Sequence, residues 1–463
     1  MKIKYLIIGA GPTGLGAGWR LKELNINEFI ILEKNSYPGG LASTLKDTNG
    51  FLWDFGGHVL FSHYKYFDNV YEKVMNKNYY QHLRESYVIY SKNEWIPYPF
   101  QYNIHHFKNK QLIFELVKSA LINPYAKIKI KNFYDWILKI FGEKMAEIFM
   151  IPYNNKVWAI HPKLMNHHWV GERVATINPE LILESAILHK DHISWGPNNK
   201  FKFPKYGGNI TLWKNIAEKI KSFIKYATEV VKIDIKNKFI LTNKGNKINY
   251  QYLINTAPLD LFLKNSNANE NIKKMSKKLK HSKVHVVGIG LNQPMPNYLK
   301  NKSWFYFPTN DIPIYRATIF SNYSPYNVPN IKKFWSIMTE TAESEYKSLD
   351  EDFIEKIIKG LIKLGFIKNK HQINHVYHFS KEYAYPTPTL ERDFALNRIQ
   401  PYLEKYNIFS RGRFGGWKYE VGNQDHSFMQ GVEIIDRLIL NKKEITYYQP
   451  NYINSKEFLE TQK

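Results

Sequence analysis

Residues 5–14 read Tyr5-Leu6-Ile7-Ile8-Gly9-Ala10-Gly11-Pro12-Thr13-Gly14. The apolar run is of the kind buried in a parallel sheet, and it enters a glycine fingerprint without a break. From Leu15 to Leu24 apolar residues recur at helical spacing. In such a strand–turn–helix the glycines supply a tight turn (Gly9), close approach of backbone to a diphosphate (Gly11) and close packing of helix on strand (Gly14). The start of the helix, Thr13 included, offers free N–H groups and a positive dipole end to phosphates. A second strand, Phe29-Ile30-Ile31-Leu32, ends in Glu33. That acid lies about twenty residues past the fingerprint, where a carboxylate accepts from the ribose hydroxyls of a dinucleotide.

The next stretch bears on which dinucleotide. Pro38-Gly39-Gly40-Leu41-Ala42-Ser43-Thr44 brings a second glycine pair six residues after the acid. Backbone can approach the cofactor again there, which a long, extended FAD needs more than NAD does. The arrangement resembles the flavoprotein group that holds amine oxidases, protoporphyrinogen oxidase and UDP-galactopyranose mutase.

Composition narrows the reading. The 463 residues suffice for two or three domains. The absence of cysteine excludes disulfides, thiolate metal sites, a cysteine nucleophile and a cysteinyl flavin link. No metal site is expected. No apolar run reaches the length of a membrane span and no signal precedes the first strand, so a cytoplasmic protein is expected, with neither membrane nor nucleic acid as partner. The formal charge of +24 comes from scattered lysines, the densest run being 273–283. That run reads as a solvated helix face, and the net field favours small anions such as nucleotide sugars.

The remaining elements place an α/β fold: a discontinuous Rossmann-like FAD-binding domain (1–75, 200–265 and 408–445), a helical insertion domain (76–199) and a second, mostly antiparallel β-sheet domain that forms a substrate platform (266–407). Residues 446–463 read as a loose polar tail. Phe51 to Val59 carries Gly56-Gly57, where backbone can again come close to something flat or anionic. His58 beside them either faces the flavin ring or is an ordinary buried histidine. The C-terminal helix, with Phe428, Val432, Ile435 and Leu438 on one face, is expected to be capped by Asp425 or Ser427.

Several blocks outside the fingerprint resemble the eukaryotic type of UDP-galactopyranose mutase, and together they span nearly the whole chain. They are Gly56 to Asp68, Pro97-Tyr98-Pro99-Phe100-Gln101, Pro152-Tyr153-Asn154, Gly171-Glu172-Arg173-Val174-Ala175, Tyr315 to Tyr323, Tyr385 to Arg392, and Arg411 to Gly431. The segment around Arg84-Glu85-Ser86 and the loop before Phe334 differ in length from the family pattern. The resemblance implies an isomerase that interconverts UDP-galactopyranose and UDP-galactofuranose, with reduced FAD acting through N5 as nucleophile on the anomeric carbon. A chain with no cysteine and no Ser-His-Asp set suits a reaction whose nucleophile belongs to the cofactor.

Roles follow residue by residue from the same resemblance. Arg173 and Arg316 match the arginines that neutralise the diphosphate, a planar fork suiting phosphate oxygens. His58 matches the histidine of the glycine loop beside the flavin, and these three are the candidate catalytic residues. Tyr306, Tyr385 and Tyr419 match hydroxyls directed at the phosphates. Tyr98, Gln101, Phe149 and Asn154 match the uridine pocket; Trp304, Asn198 and Asn423 match the sugar and flavin end. The FAD set comprises Gly9, Gly11, Thr13, Gly14, Glu33, Gly39, Gly40, Leu41, Ala42, Ser43, Gly56, Gly57, His58, Arg413, Gly422, Asn423, Gln424 and Ser427. The helix beginning at Gly422-Asn423-Gln424-Asp425 would direct its dipole at the flavin pyrimidine edge and favour the anionic reduced form. NADPH is implied as reductant, with His63, Arg84 and Ser86 in the matching blocks and Tyr98 and Arg413 beside them. Alternatives are a furanose mutase for another nucleotide sugar, an amine oxidase or desaturase, and a non-catalytic binding protein.

Overall fold

The computed structural model describes residues 1–192 and 199–462. Strand Lys2–Ile8 pairs in parallel with Phe29–Leu32 on one side and Lys247–Asn255 on the other. Ile224–Lys225 extends this sheet beyond Phe29–Leu32, while Ile408–Ser410 pairs in parallel with the end of Lys247–Asn255. The β-meander of Val230–Asp234 and Phe239–Thr242 joins antiparallel at the start of Lys247–Asn255. Helix Pro12–Glu23 returns over one face, where Leu15, Trp19 and Leu21 pack with Tyr5, Ile7 and Phe29. Start, middle and end of the chain thus build one sheet, as the sequence leads one to expect.

The second sheet runs Ile373–Thr387, Lys280–Asn292, Phe334–Glu343, Arg316–Ile319, Trp304–Tyr306, Ser86–Ser91, Glu94–Pro97. It is antiparallel except where Ser86–Ser91 runs parallel to Trp304–Tyr306. Here the structure adds strands to the helical insertion domain expected for 76–199. Aromatic and β-branched residues flank the turn at Lys92-Asn93, so 86–97 form a hairpin at the edge of the platform. Tyr79–Leu83 pairs with Lys200–Pro204 in a separate two-stranded sheet, so the latter does not enter the dinucleotide sheet. Helices Lys110–Leu121, Phe133–Met145, Ile151–Trp158 and Pro179–Leu188 supply the helical unit.

Two further expectations are corrected. The last residues are not loose: short helices Ile445–Tyr448, Pro450–Ile453 and Lys456–Thr461 bury Tyr447, Ile453 and Phe458. Apolar residues spaced this sparsely leave no periodic signal, yet Ile453 and Phe458 join the core beside the first helix, and the Tyr447 hydroxyl donates to the Gly416 carbonyl at 3.2 Å. Nor do Asp425 or Ser427 cap helix Gln424–Leu440. Asn423 occupies the N-cap with extended backbone, and Asp425 turns inward to accept from the backbone N–H and Nδ1 of His63 at 3.0 and 2.7 Å.

The C-terminal helix lies directly on helix Pro12–Glu23. A Cβ at Gly16 would sit 2.2 Å from the Phe428 carbonyl oxygen, and one at Gly431 2.0 Å from that of Thr13. Backbone meets backbone, which only glycine allows at these two positions.

Candidate active site

A cavity of about 740 Å³ runs from the glycine fingerprint across to the second sheet and the helical unit. Its first wall is the dinucleotide cradle. Gly9 takes a φ of +99°, and a Cβ on Gly14 would stand 1.9 Å from the Gly9 carbonyl oxygen. Gly40, at φ +52°, brings its backbone against Gly11, and the two peptides leave a groove that a side chain would fill. Glu33 closes the turn: one oxygen accepts from the Ala10 N–H at 2.8 Å, the other from the backbone and side-chain nitrogens of Asn35 at 2.9 Å. Burial raises its pKa.

Gly9, Gly11, Thr13, Glu33, Gly40, Leu41 and Ala42 line this end. Gly14, Gly39 and Ser43 stand behind it. Gly39 turns the chain at φ +106°, and the Ser43 hydroxyl donates to the Pro38 carbonyl at 3.3 Å. A cradle of bare peptide at a helix N-terminus, with a carboxylate beyond it, fits FAD by the chemistry of its donors.

The middle wall is the segment Gly56-Gly57-His58. Gly56 stands at φ +127°, and a Cβ on Gly57 would meet Glu340 and Arg316 at 3.1–3.2 Å. In this structure the glycine pair makes room for a buried ion pair. Arg316 Nε and Nη2 donate to the two oxygens of Glu340 at 2.7 Å each, the Tyr315 hydroxyl donates to the same carboxylate at 2.8 Å, and the Gly57 N–H donates at 3.0 Å. Glu340, 1% exposed, carries no mark in the sequence; it lies in the buried strand Phe334–Glu343, directly opposite Arg316. His58 lines the cavity with its Nδ1 buried and without a hydrogen-bond partner. Burial lowers its pKa to about 4, so the ring is neutral at neutral pH.

The far wall gathers the remaining cations and phenols. Arg173 Nη2 and Nε donate to the Glu420 carbonyl at 2.6 and 3.1 Å, Nη1 reaches Asn423 Oδ1 at 3.4 Å, and the guanidinium lies 5.1 Å above the Tyr419 ring. Tyr419 and Tyr385 stand with ring centres 5.7 Å apart. Arg413 covers both rings and spends its donors on the carbonyls of Ala384 and Gly422, clamping the end of strand Ile373–Thr387 to the loop before the C-terminal helix. Trp304 Nε1 donates to the Tyr306 hydroxyl at 2.5 Å, and Tyr306 packs against Tyr98. Phe149 stacks on Tyr153, an aromatic shelf that includes a residue given no site role from sequence. Gln101 and Asn154 line the same end, their amides donating to the carbonyls of Ala175 and Met150.

Gly422, Asn423, Gln424 and Ser427 bring the start of the C-terminal helix to the cavity. The Gln424 side-chain oxygen is engaged by Asn209 and Trp213 at 3.0 and 2.9 Å, which fixes helix to cradle. His63 and Arg84 also line the cavity, Arg84 lying over Tyr98 and Trp304 at 5.3 and 5.9 Å. Ser86 does not: its side chain is buried in the edge hairpin. Asn198 lies outside the described residues.

The NAD(P)-binding Rossmann-like domain family matches residues 7–76. Among solved structures, a reduced UDP-galactopyranose mutase is 40% identical over 98% of this chain and 98% of its own, with a TM-score of 0.94. A putative protoporphyrinogen oxidase from Exiguobacterium sp. 255-15 is 14% identical, covering 95% and 99%, with a TM-score of 0.71. A putrescine oxidase is 12% identical, covering 95% and 99%, with a TM-score of 0.64. These two share the fold alone. Rossmann cradle, platform sheet and a cavity between them define a flavin-dependent enzyme of the two-sheet class. Within that class the chain belongs to the UDP-galactopyranose mutase family, and it is an isomerase. No helix among the described residues is long and apolar enough to cross a membrane.

Proposed function

We propose that the protein, acting in the cytoplasm, interconverts UDP-galactopyranose and UDP-galactofuranose, with FAD in its reduced state as the working cofactor. The observation that carries this reading is that Arg173, Arg316, Tyr306, Tyr385 and Tyr419 line one cavity, beside a cradle built for a dinucleotide. Two guanidinium groups and three phenols match a diphosphate that must leave the anomeric carbon and return to it. Reduced FAD, when bound, supplies the nucleophilic nitrogen. The chain's own work is to hold the diphosphate, seat the uracil against the Phe149–Tyr153 shelf, and keep the sugar near the flavin by Trp304 and Asn423. His58, neutral at neutral pH, faces the cofactor without adding charge. Incubation with UDP-galactofuranose under dithionite should yield UDP-galactopyranose by chromatography. Equal turnover by fully oxidised enzyme under air would sink the reading.

The same cavity is proposed to admit NADPH as reductant. His63, Arg84, Tyr98 and Arg413 border it, and the sequence holds no second glycine fingerprint for a separate nucleotide domain. NADPH should bleach the flavin band in anaerobic stopped-flow, faster than NADH does, and saturating UDP should slow it. Bleaching at the same rate with UDP present would place the reductant elsewhere.

A further inference from the structure

The helical unit brings together three ligand-type side chains that the proposed reaction does not use. His105 and His106 belong to the short turn Ile104–His106, and Asp191 follows the end of helix Pro179–Leu188. His105 Nε2 and His106 Nε2 both meet Asp191 Oδ1, at 2.9 and 2.7 Å. All three stand away from the residues that line the cavity. The lack of cysteine excludes thiolate ligands, but imidazole and carboxylate remain.

Ser185 decides where His105 carries its proton. This serine is fully buried, and its Oγ has three neighbours: the Tyr102 carbonyl at 2.6 Å, the Lys190 carbonyl at 3.0 Å and His105 Nδ1 at 2.9 Å. A hydroxyl has one proton to give, and a carbonyl oxygen can only accept. That proton therefore goes to a carbonyl, and the Ser185 oxygen accepts from His105 Nδ1–H. A neutral imidazole protonated on Nδ1 presents a lone pair at Nε2. In His105, a buried ring, this lone pair is directed at the Asp191 carboxylate 2.9 Å away. Two acceptors at that distance call for a cation. The hydrogen bond from Nδ1 to Ser185 is also the kind of outer support that orients a metal-bound histidine.

We propose that His105, His106 and Asp191 form a binding site for a divalent late transition-metal ion, with Zn²⁺ the best match and water as the fourth ligand. Two imidazoles and one carboxylate suit zinc by ligand type. Tetrahedral bonds of about 2.0–2.1 Å set ligand atoms about 3.3 Å apart, a few tenths of an ångström beyond the present spacing. His106 and Asp191 are 34% and 45% exposed, so they can open by that amount without disturbing the core. The frame of the site is already held. The Asn103 amide donates to the His192 carbonyl at 3.0 Å, and its side-chain oxygen accepts from the His192 N–H at 2.9 Å. Those two bonds tie the segment carrying Asp191 to the turn carrying both histidines. The ion then acts as a staple between helix Pro179–Leu188 and the stretch that follows Gln101, independent of flavin or substrate.

The test is calorimetric titration of chelator-treated holoenzyme with zinc chloride. One equivalent should bind to the wild type with micromolar affinity or better, and the zinc X-ray absorption edge should show imidazole and oxygen ligands. Asp191→Asn and His106→Gln change exposed positions, so both variants should keep FAD and fold. Each should lose roughly tenfold or more in zinc affinity, at least what removing an outer-shell partner costs. Thermal melting with and without zinc gives a second readout: the metal should raise the melting temperature of the wild type and leave that of the two variants where it was. Zinc uptake that survives unchanged in both variants belongs to another site and overturns the proposal. No uptake by the wild type overturns it as well, and assigns the bond between His105 Nε2 and Asp191 to a second proton on the ring.

Discussion

Arg316→Ala should lose UDP affinity by one to two orders of magnitude and unfold at visibly lower temperature, whereas Arg173→Ala should lose affinity alone. Both effects come from the partner each arginine leaves behind. Removing a charge-assisted contact to phosphate costs about 1.5–3 kcal/mol, roughly one to two decades in affinity. For Arg316 a second cost is added, because Glu340 stays buried with only the Tyr315 hydroxyl and the Gly57 N–H for company. Stripping one member from a buried ion pair costs about 3–5 kcal/mol. Arg316 holds the Glu340 carboxyl below its ordinary pKa against the opposing pull of burial, so the alanine variant should take up a proton there as well. Arg173 leans instead on the Glu420 carbonyl, which keeps the Asn454 amide at 2.9 Å when the arginine is gone. Titration calorimetry with UDP and thermal melting of the two variants separate the cases. Unchanged UDP binding in both would move the diphosphate site away from these two arginines.

Gly431→Ala should be among the most damaging single-methyl changes in the molecule, and the loss should appear as loss of bound FAD. The added carbon would stand 2.0 Å from the Thr13 carbonyl oxygen and 2.7 Å from the Ala17 nitrogen. Neither is the tip of a flexible side chain, so the whole C-terminal helix must lift from helix Pro12–Glu23. Overpacking of a filled core costs about 1–3 kcal/mol, and contact with rigid backbone puts this site at or above the top of that range. Lifting the helix displaces both N-termini that line the cavity, Thr13 on one and Asn423 to Ser427 on the other. Flavin content after gel filtration checks this. A variant that stays fully yellow and melts as the wild type does would show that the two helices have slack.

The parts of this site legible in the sequence are those whose partners lie close along the chain. Gly9, Gly11, Gly14 and Glu33 sit within a single strand–turn–helix–strand unit, and that unit alone dictates their spacing. Glu340 is different. It earns its meaning from Arg316, one strand away, and from Gly57, at the other end of the protein, and neither pairing is visible without register. The glycines at 56 and 57 stand out in the sequence, but the reason for them does not: they yield to an ion pair. Gly16 and Gly431 look like ordinary helix-interior glycines until the two helices cross. Asp425 stands where a cap belongs and is diverted by His63, which outbids the helix because it offers two donors to a buried carboxylate. The hairpin at 86–97 escapes notice because it is the edge of a sheet whose other strands all lie two hundred residues further on.

The contact between the first helix and the last also sets a timetable for synthesis. The fingerprint leaves the ribosome first, but strand Lys2–Ile8 waits for Lys247–Asn255 to cover its second edge. Helix Pro12–Glu23 waits longer still, for Gln424–Leu440. At about 5–20 residues per second, the nascent chain carries an open edge for roughly 10–50 s and an uncovered helix face for roughly 20–80 s. A chain ending before residue 424 should therefore lack the helix that covers the fingerprint and should not hold a dinucleotide in this cradle.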